Sequence, residues 1–312
     1  MDNKNFRYAT MLALTTAFIS GFSNFINKIA VTAVKNPVIF TTLKNSVVAI
    51  FLIGLLIVFK KWAEIKSLTK NQWIKLFLIG AVGGSLPFAL FFTGLSKTSA
   101  VNAALIHKTL FLWVFVLAIP FLKERVTRWQ WLGVATIFAA NLFVGGFTGF
   151  KYNTGEFMIL GATFFWAIEN IIAKKTLEDV SSSVVSAARM AIGSLILIIF
   201  LFSRGDTLLL PSMNPAQWGW IFLTSALLFG YVTSWYTALK HAPATYVATL
   251  LVPATLITNV LSAIFITHAF TFKDLLSSVL FVCGTSLMIV FAKKTFESPN
   301  LAGNKDMSSV GA

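Results

Sequence analysis

A chain of 312 residues that is 57% hydrophobic and only 12% charged cannot fold with water as its main solvent, because a soluble domain carries roughly a quarter charged residues. The mean hydropathy is +0.80. The formal charge of +14 does not indicate a nucleic-acid partner, since the 25 Lys and Arg lie mostly in short gaps between apolar runs and not on one basic face.

Ten apolar runs follow in chain order, each near the roughly 20 residues a spanning helix needs: 8–30, 38–59, 74–95, 100–122, 129–147, 156–174, 183–203, 217–238, 244–267 and 273–292. The first is too long and too polar for a cleaved signal peptide: it carries Asn24, Asn27 and Lys28, and nine similar runs come after it. Pro37, the pair Gly145-Gly146, Pro211 and Pro215 fall in the gaps, where helix breakers cost little. The lone cysteine, Cys283, lies in the last run, where a small buried hydrophobe is its expected role. Residues 295–312 are polar and contain Gly and Ser, which predicts a disordered cytoplasmic tail. The expected fold class is an all-α integral membrane protein of ten transmembrane helices.

Charge in the gaps orients the chain. With the N-terminus in the cytoplasm, the inside segments hold 16 Lys and Arg and the outside segments hold five, Lys35, Lys97, Lys151, Arg204 and Lys273. That asymmetry predicts a multi-pass protein of the cell (inner) membrane with both termini cytoplasmic. Trp62, Trp73, Trp129 and Trp131 sit near cytoplasmic span ends and Trp218 and Trp220 near an outer one, as an interfacial belt requires.

A long-period repeat divides the sequence. Ser23-Asn24-Phe25-Ile26-Asn27-Lys28 aligns with Glu169-Asn170-Ile171-Ile172-Ala173-Lys174 at an offset of 146. Thr93-Gly94-Leu95 and the segment from Ser99 to Leu105 align with Thr237-Ala238-Leu239 and the segment from Pro243 to Thr249 at an offset of 144, and Lys44 falls opposite Arg189. Residues 1–150 and 151–294 therefore read as duplicated halves followed by the tail, 295–312. Each half holds an odd number of spans, five, so the second copy is expected to enter the bilayer inverted, an arrangement that supports alternating access.

The segment from Ser99 to Leu105, Leu122-Lys123-Glu124-Arg125, Trp131-Leu132-Gly133, Ala238-Leu239, the stretch from Ala242 to Ala248 and Pro253 together resemble an EamA-type permease of the drug/metabolite transporter superfamily. The resemblance covers nearly the whole chain. It implies metabolite export or exchange through a central cavity lined by the first, third and fourth spans of each half. Two departures stand out: no proline lies near Thr109, where Pro253 holds the equivalent place, and Glu124 is answered by His268.

Ionisable groups within hydrocarbon cost about 2.5–3.5 kcal/mol each, so each needs a partner, water or a function. Asn24, Asn27 and Lys28 share one helical face, as do Asn170 and Lys174. Lys28 and Lys174 stand near span ends, where snorkelling to head groups competes with guarding a cavity mouth. Lys108 and Arg189 lie roughly 12 Å inside their runs, and Glu169 is the acid deep in a span; a structural ion pair competes there with an anion-recognising cavity. His107 and Lys108 are neighbours and cannot both face one cavity, and His107 is expected to be a satisfied interhelical histidine or a proton relay. Trp166, Tyr231 and Trp235 are deep aromatics that either pack or stack on a solute. The candidate substrate-binding set is Asn24, Lys28, Lys44, Lys108, Trp166, Glu169, Asn170, Arg189, Tyr231 and Trp235.

The expected partners are a small-molecule substrate and the lipid bilayer, with a homodimer open. No Walker-type loop, metal-spaced His/Cys cluster or nucleophile elbow is present, so no cofactor, metal or catalytic residue is expected. The favoured reading is a secondary transporter or exchanger of a small organic metabolite, an amino acid or an anion. A membrane-embedded enzyme or lipid-handling protein is the alternative.

Overall fold

The computed structural model describes residues 3–143, 149–203, 205 and 213–308, and every regular element in them is helical. The first span is α1 (Asn3–Val34) and the second α2 (Pro37–Val58). Asn36 caps α2, its Oδ1 accepting from the Val38 and Ile39 N–H groups, and Pro37 occupies the first turn, where a missing N–H costs nothing. A short α3 (Trp62–Lys66) precedes the third span, which is α4 (Lys70–Leu78), a π-helical segment (Ile79–Ser85) and α5 (Leu86–Lys97) in succession. The fourth span is broken into α6 (Ala100–Lys108) and α7 (Leu110–Leu122).

The remaining helices are α8 (Arg128–Leu142), α9 (Thr154–Thr176), α10 (Ser182–Ser203), α11 (Pro215–His241), α12 (Ala244–Leu250), α13 (Ala254–Ser262) and α14 (Phe272–Ser308). Residues 263–267 extend α13 as a π-helical turn. Capping boxes start α4 (Thr69 with Gln72), α8 (Thr127 with Gln130) and α11 (Asn214 with Gln217).

Nine stretches among the described residues are long and apolar enough to cross a bilayer. The expected fifth span, 129–147, is represented by the 15 residues of α8; positions 144–148 lie outside the described residues. The backbone of α14 is helical to Ser308, through the stretch from 295 where a disordered tail was expected. Residues 309–312 lie outside the described set.

Pairing is reciprocal between the halves. The first span packs along the eighth (α1 on α11) and the sixth along the third (α9 on α5), while α2 lies against α10, α6 against α13 and α7 against α12. Backbones touch where the π-helical segment crosses α10: a Cβ on Gly193 would lie 2.4 Å from the Gly84 carbonyl carbon, so neither position has room for a side chain. Large apolar side chains such as Phe51, Val58, Phe202 and Val282 point outward, as a protein solvated by lipid allows. Cys283 is exposed on the outer face of α14 and not buried as expected. A lipid-facing position and a core position carry the same apolar signature in a sequence.

Candidate functional site

The two polar stripes meet at mid-bundle. A cavity of about 70 Å³ lies there, walled by α1, α2, α5, α9, α10 and α11 and by His107 and Leu110 at the break in the fourth span. The second spans contribute Lys44 and Arg189, which the family resemblance did not imply, and no ninth-span residue is among the lining.

The break that admits His107 needs no proline. At Thr109 the backbone switches to an i→i−3 bond, with the Thr109 N–H donating to Ile106 O at 3.0 Å and its hydroxyl donating to the same carbonyl at 2.7 Å. In the ninth span the equivalent switch runs through Leu251–Pro253, where the ring supplies the interruption. The π-helical segment of the third span likewise leaves carbonyls without helical partners. Trp166 Nε1 donates to Gly83 O at 2.9 Å and Asn45 Nδ2 to Gly84 O at 3.2 Å, so side chains of the opposing helices take over.

Two cations face the cavity. Lys44 Nζ donates to Asn27 Oδ1 at 3.4 Å and stands 3.9 Å from the Phe92 ring centroid and 5.9 Å from that of Phe88. Arg189 places its guanidinium carbon 5.1 Å from the centroid of the same Phe88 ring and its Nε 4.0 Å from Glu169 Oε2. Glu169 also accepts the Tyr236 hydroxyl, a partner the sequence reading missed. Trp235 Nε1 donates to Asn170 Oδ1 at 2.9 Å, and its ring stacks on Tyr231 with centroids 6.0 Å apart. Among the described residues, Ser23 Oγ, Asn24 Nδ2 and His107 Nδ1 are buried lining atoms with no hydrogen-bond partner, and Arg189 Nε has only its ion pair with Glu169.

Eight of the ten candidate residues thus line one chamber: Asn24, Lys44, Trp166, Glu169, Asn170, Arg189, Tyr231 and Trp235. Lys28 does not; its ammonium donates to Leu95 O at 2.8 Å and Thr98 O at 2.7 Å, capping the C-terminus of α5. Lys108 does not either, because it points behind the wall and donates to Ser20 Oγ at 2.7 Å. The roles of the neighbouring pair are reversed from expectation: His107 faces the cavity, 5.0 Å from Trp166 and 5.3 Å from Phe91 between ring centroids. A helix that breaks at Thr109 turns His107 inward and sends Lys108 about 100° away.

Ser20, Ser23, Phe88, Phe91, Phe92, Thr224 and Leu228 also line the chamber and were not singled out. Serine and phenylalanine are ordinary in any span and carry no signal alone. His268 proves to be the counterpart of Lys123, both in left-handed geometry (φ 50 and 54) at the ends of matching helices. Glu124 instead reaches α12, accepting from Ala244 N at 2.7 Å, Thr245 N at 3.0 Å and Thr245 Oγ1 at 2.6 Å. Pro243, at the cap position, has no side-chain oxygen to do this. Among the described residues no group of three or more His, Cys, Asp or Glu is placed to hold a metal ion.

Comparison with known proteins agrees with this architecture. An uncharacterized transporter of Methanothermobacter thermautotrophicus is 24% identical over 70% of this chain and 65% of its own length. The uncharacterized transporter sll1164 of Synechocystis is 25% identical over 74% and 70%, and YyaM of Bacillus subtilis, also an uncharacterized transporter, is 29% identical over 60% and 63%. The alignments therefore span about two thirds of these relatives. A solved crystal structure superposes with a TM-score of 0.72 over 91% of this chain and 98% of the other at 14% identity, a likeness of fold alone. The EamA-like transporter family model matches residues 7–146 and again 153–290. A helical membrane protein with a polar chamber between its halves, matched by that family over nearly all its length, is a member of the EamA-like transporter family.

Proposed function

We propose that the protein is a secondary transporter or exchanger that moves a small organic solute, an amino acid or an anion, through the central chamber by alternating access in the cell (inner) membrane, with both termini cytoplasmic. The observation that carries this reading is the chamber itself: buried polar atoms without partners among the described residues, Ser23 Oγ and Asn24 Nδ2 included, surround empty space at mid-bundle. Unpaired polar groups away from water cost about 1–3 kcal/mol each, and a transiting solute is the natural partner. The matched pairing of α1 with α11 and α9 with α5 supports an inverted repeat, in which two packings of similar energy open the chamber to opposite faces.

Proteoliposomes carrying the purified protein test this directly. A panel of labelled amino acids and organic anions should include at least one solute whose uptake is saturable and stimulated by the same solute inside. Arg189→Met should lose that uptake at equal incorporation. Absence of trans-stimulated uptake across the panel, with turnover of added lipid in its place, would favour a lipid-handling protein.

A further inference from the structure

The chamber is asymmetric in charge and in hydrogen-bonding capacity. Its cations are Lys44 and Arg189, and its single carboxylate, Glu169, is already engaged by Tyr236 and Arg189. Among the described residues Lys44 has no carboxylate partner; its contacts are one amide oxygen and ring faces. A buried charge without a counterion is costly, so the chamber lacks a negative group that a solute can bring.

The unpartnered lining atoms point the same way. Asn24 Nδ2 can only donate, Ser23 Oγ can donate or accept, and His107 Nδ1 is a free ring nitrogen; Arg189 Nε makes no hydrogen bond but is ion-paired with Glu169 at 4.0 Å. An ammonium group would add a third positive charge beside Lys44 and Arg189, with Glu169, the one carboxylate of the lining, already engaged. The ring faces nearest the cations are occupied, Phe92 by Lys44 at 3.9 Å and Phe88 by Arg189 at 5.1 Å. Aromatic surface remains on the other side, where His107, Phe91 and Trp166 meet with centroids 5.0 to 5.4 Å apart. A separate pocket repeats the charge bias: Lys123, Lys174, Lys175 and Lys240 line it with Glu124 and Glu178, an arrangement that concentrates anions.

We propose, resting on the transport reading above, that the solute is an aromatic carboxylate without an ammonium group, its carboxylate held between Lys44 and Arg189 and its ring against Phe91 and Trp166. Both cations come from equivalent second spans and flank one ring, Phe88.

A matched series separates the charge requirement from the ring. Phenylpropionate, phenylalanine, phenylethylamine and propionate are titrated against the full-length protein, followed by tryptophan fluorescence, since Trp166 and Trp235 line the chamber. The same four are then tested for trans-stimulated uptake in proteoliposomes. Phenylpropionate should bind at least about tenfold more tightly than phenylalanine or propionate, and phenylethylamine should not compete. Lys44→Met should lower phenylpropionate affinity by about tenfold or more. Phenylalanine bound as tightly as phenylpropionate and carried saturably overturns this inference while leaving the transporter reading intact. Failure of all four to bind overturns the inference too, and the wild-type series decides even if a variant does not fold.

Discussion

Lys28 and Lys174 make the same contact in different halves of the chain. Lys28 donates to Leu95 O and Thr98 O, and Lys174 donates to Leu239 O and Ala242 O at 2.7 and 2.8 Å. Each ammonium closes the C-terminal turn of the third span of its own half, where helix carbonyls are left without partners and the dipole favours a cation. The repeat in the sequence is thus a repeat of bonding.

If these lysines cap helices, their loss harms the fold and spares recognition. Lys28→Met and Lys174→Met should each lower stability by about 1–3 kcal/mol, read as a drop in the thermal midpoint in detergent. The KM of whatever solute is carried should stay within about twofold, since uniform binding is untouched. A large rise in KM with an unchanged midpoint would return Lys28 to the binding site.

Why sequence alone leaves the role of these positions open is physical. A lysine near a span end carries one signal for three outcomes: snorkelling, guarding a mouth, or capping a neighbouring helix that is distant in the chain. The spans, the repeat and the polar stripes of α1 and α9 were legible because hydrophobic length and 3.6-residue periodicity are local properties. Asn24 and Asn170 were found that way and do line the chamber. Whether Lys108 or His107 faces inward depended on a helix break at Thr109 that no proline marks. Tyr236 against Glu169 and Glu124 against α12 are contacts between distant elements, 67 and 120 residues apart for the first atom pairs, with no local trace.

Trp166 joins the chamber to the π-helical part of the third span. Its indole N–H is the partner of Gly83 O inside the π-helical segment. Trp166→Phe keeps a ring beside His107 but leaves that carbonyl unpaired, at a cost of about 1–3 kcal/mol. The midpoint should fall and transport should slow, whereas Phe88→Leu, which frees no carbonyl, should leave the midpoint less affected. Equal midpoints for wild type and Trp166→Phe would show that the bond carries no weight.

One acid-dependent element lies outside the spans. Partial burial raises the pKa of Glu64, but hydrogen bonds from Ser181, including its N–H at 2.7 Å, and the Lys61 ammonium at 3.2 Å outweigh that and hold the carboxyl below its ordinary value. A carboxyl depressed in the folded state stabilises above its unfolded pKa, and that contribution is lost as the pH falls through the folded value. Wild-type thermal stability should therefore decline through this acid window, and Glu64→Gln should start lower and decline less. The effect is modest because Glu64 is largely screened by solvent. Parallel pH curves for the two proteins would remove Glu64 from the account.

The proposed alternating access requires the chamber to open to each face in turn, and Ser23, which lines it with an unpartnered hydroxyl, is the place to look. Ser23→Cys is placed in a Cys283→Ser background and exposed to a membrane-impermeant thiol reagent in right-side-out and in inverted vesicles. Alternating access predicts labelling from both faces, slowed from both by a solute that the protein carries. Labelling from one face only, under every condition, would contradict it.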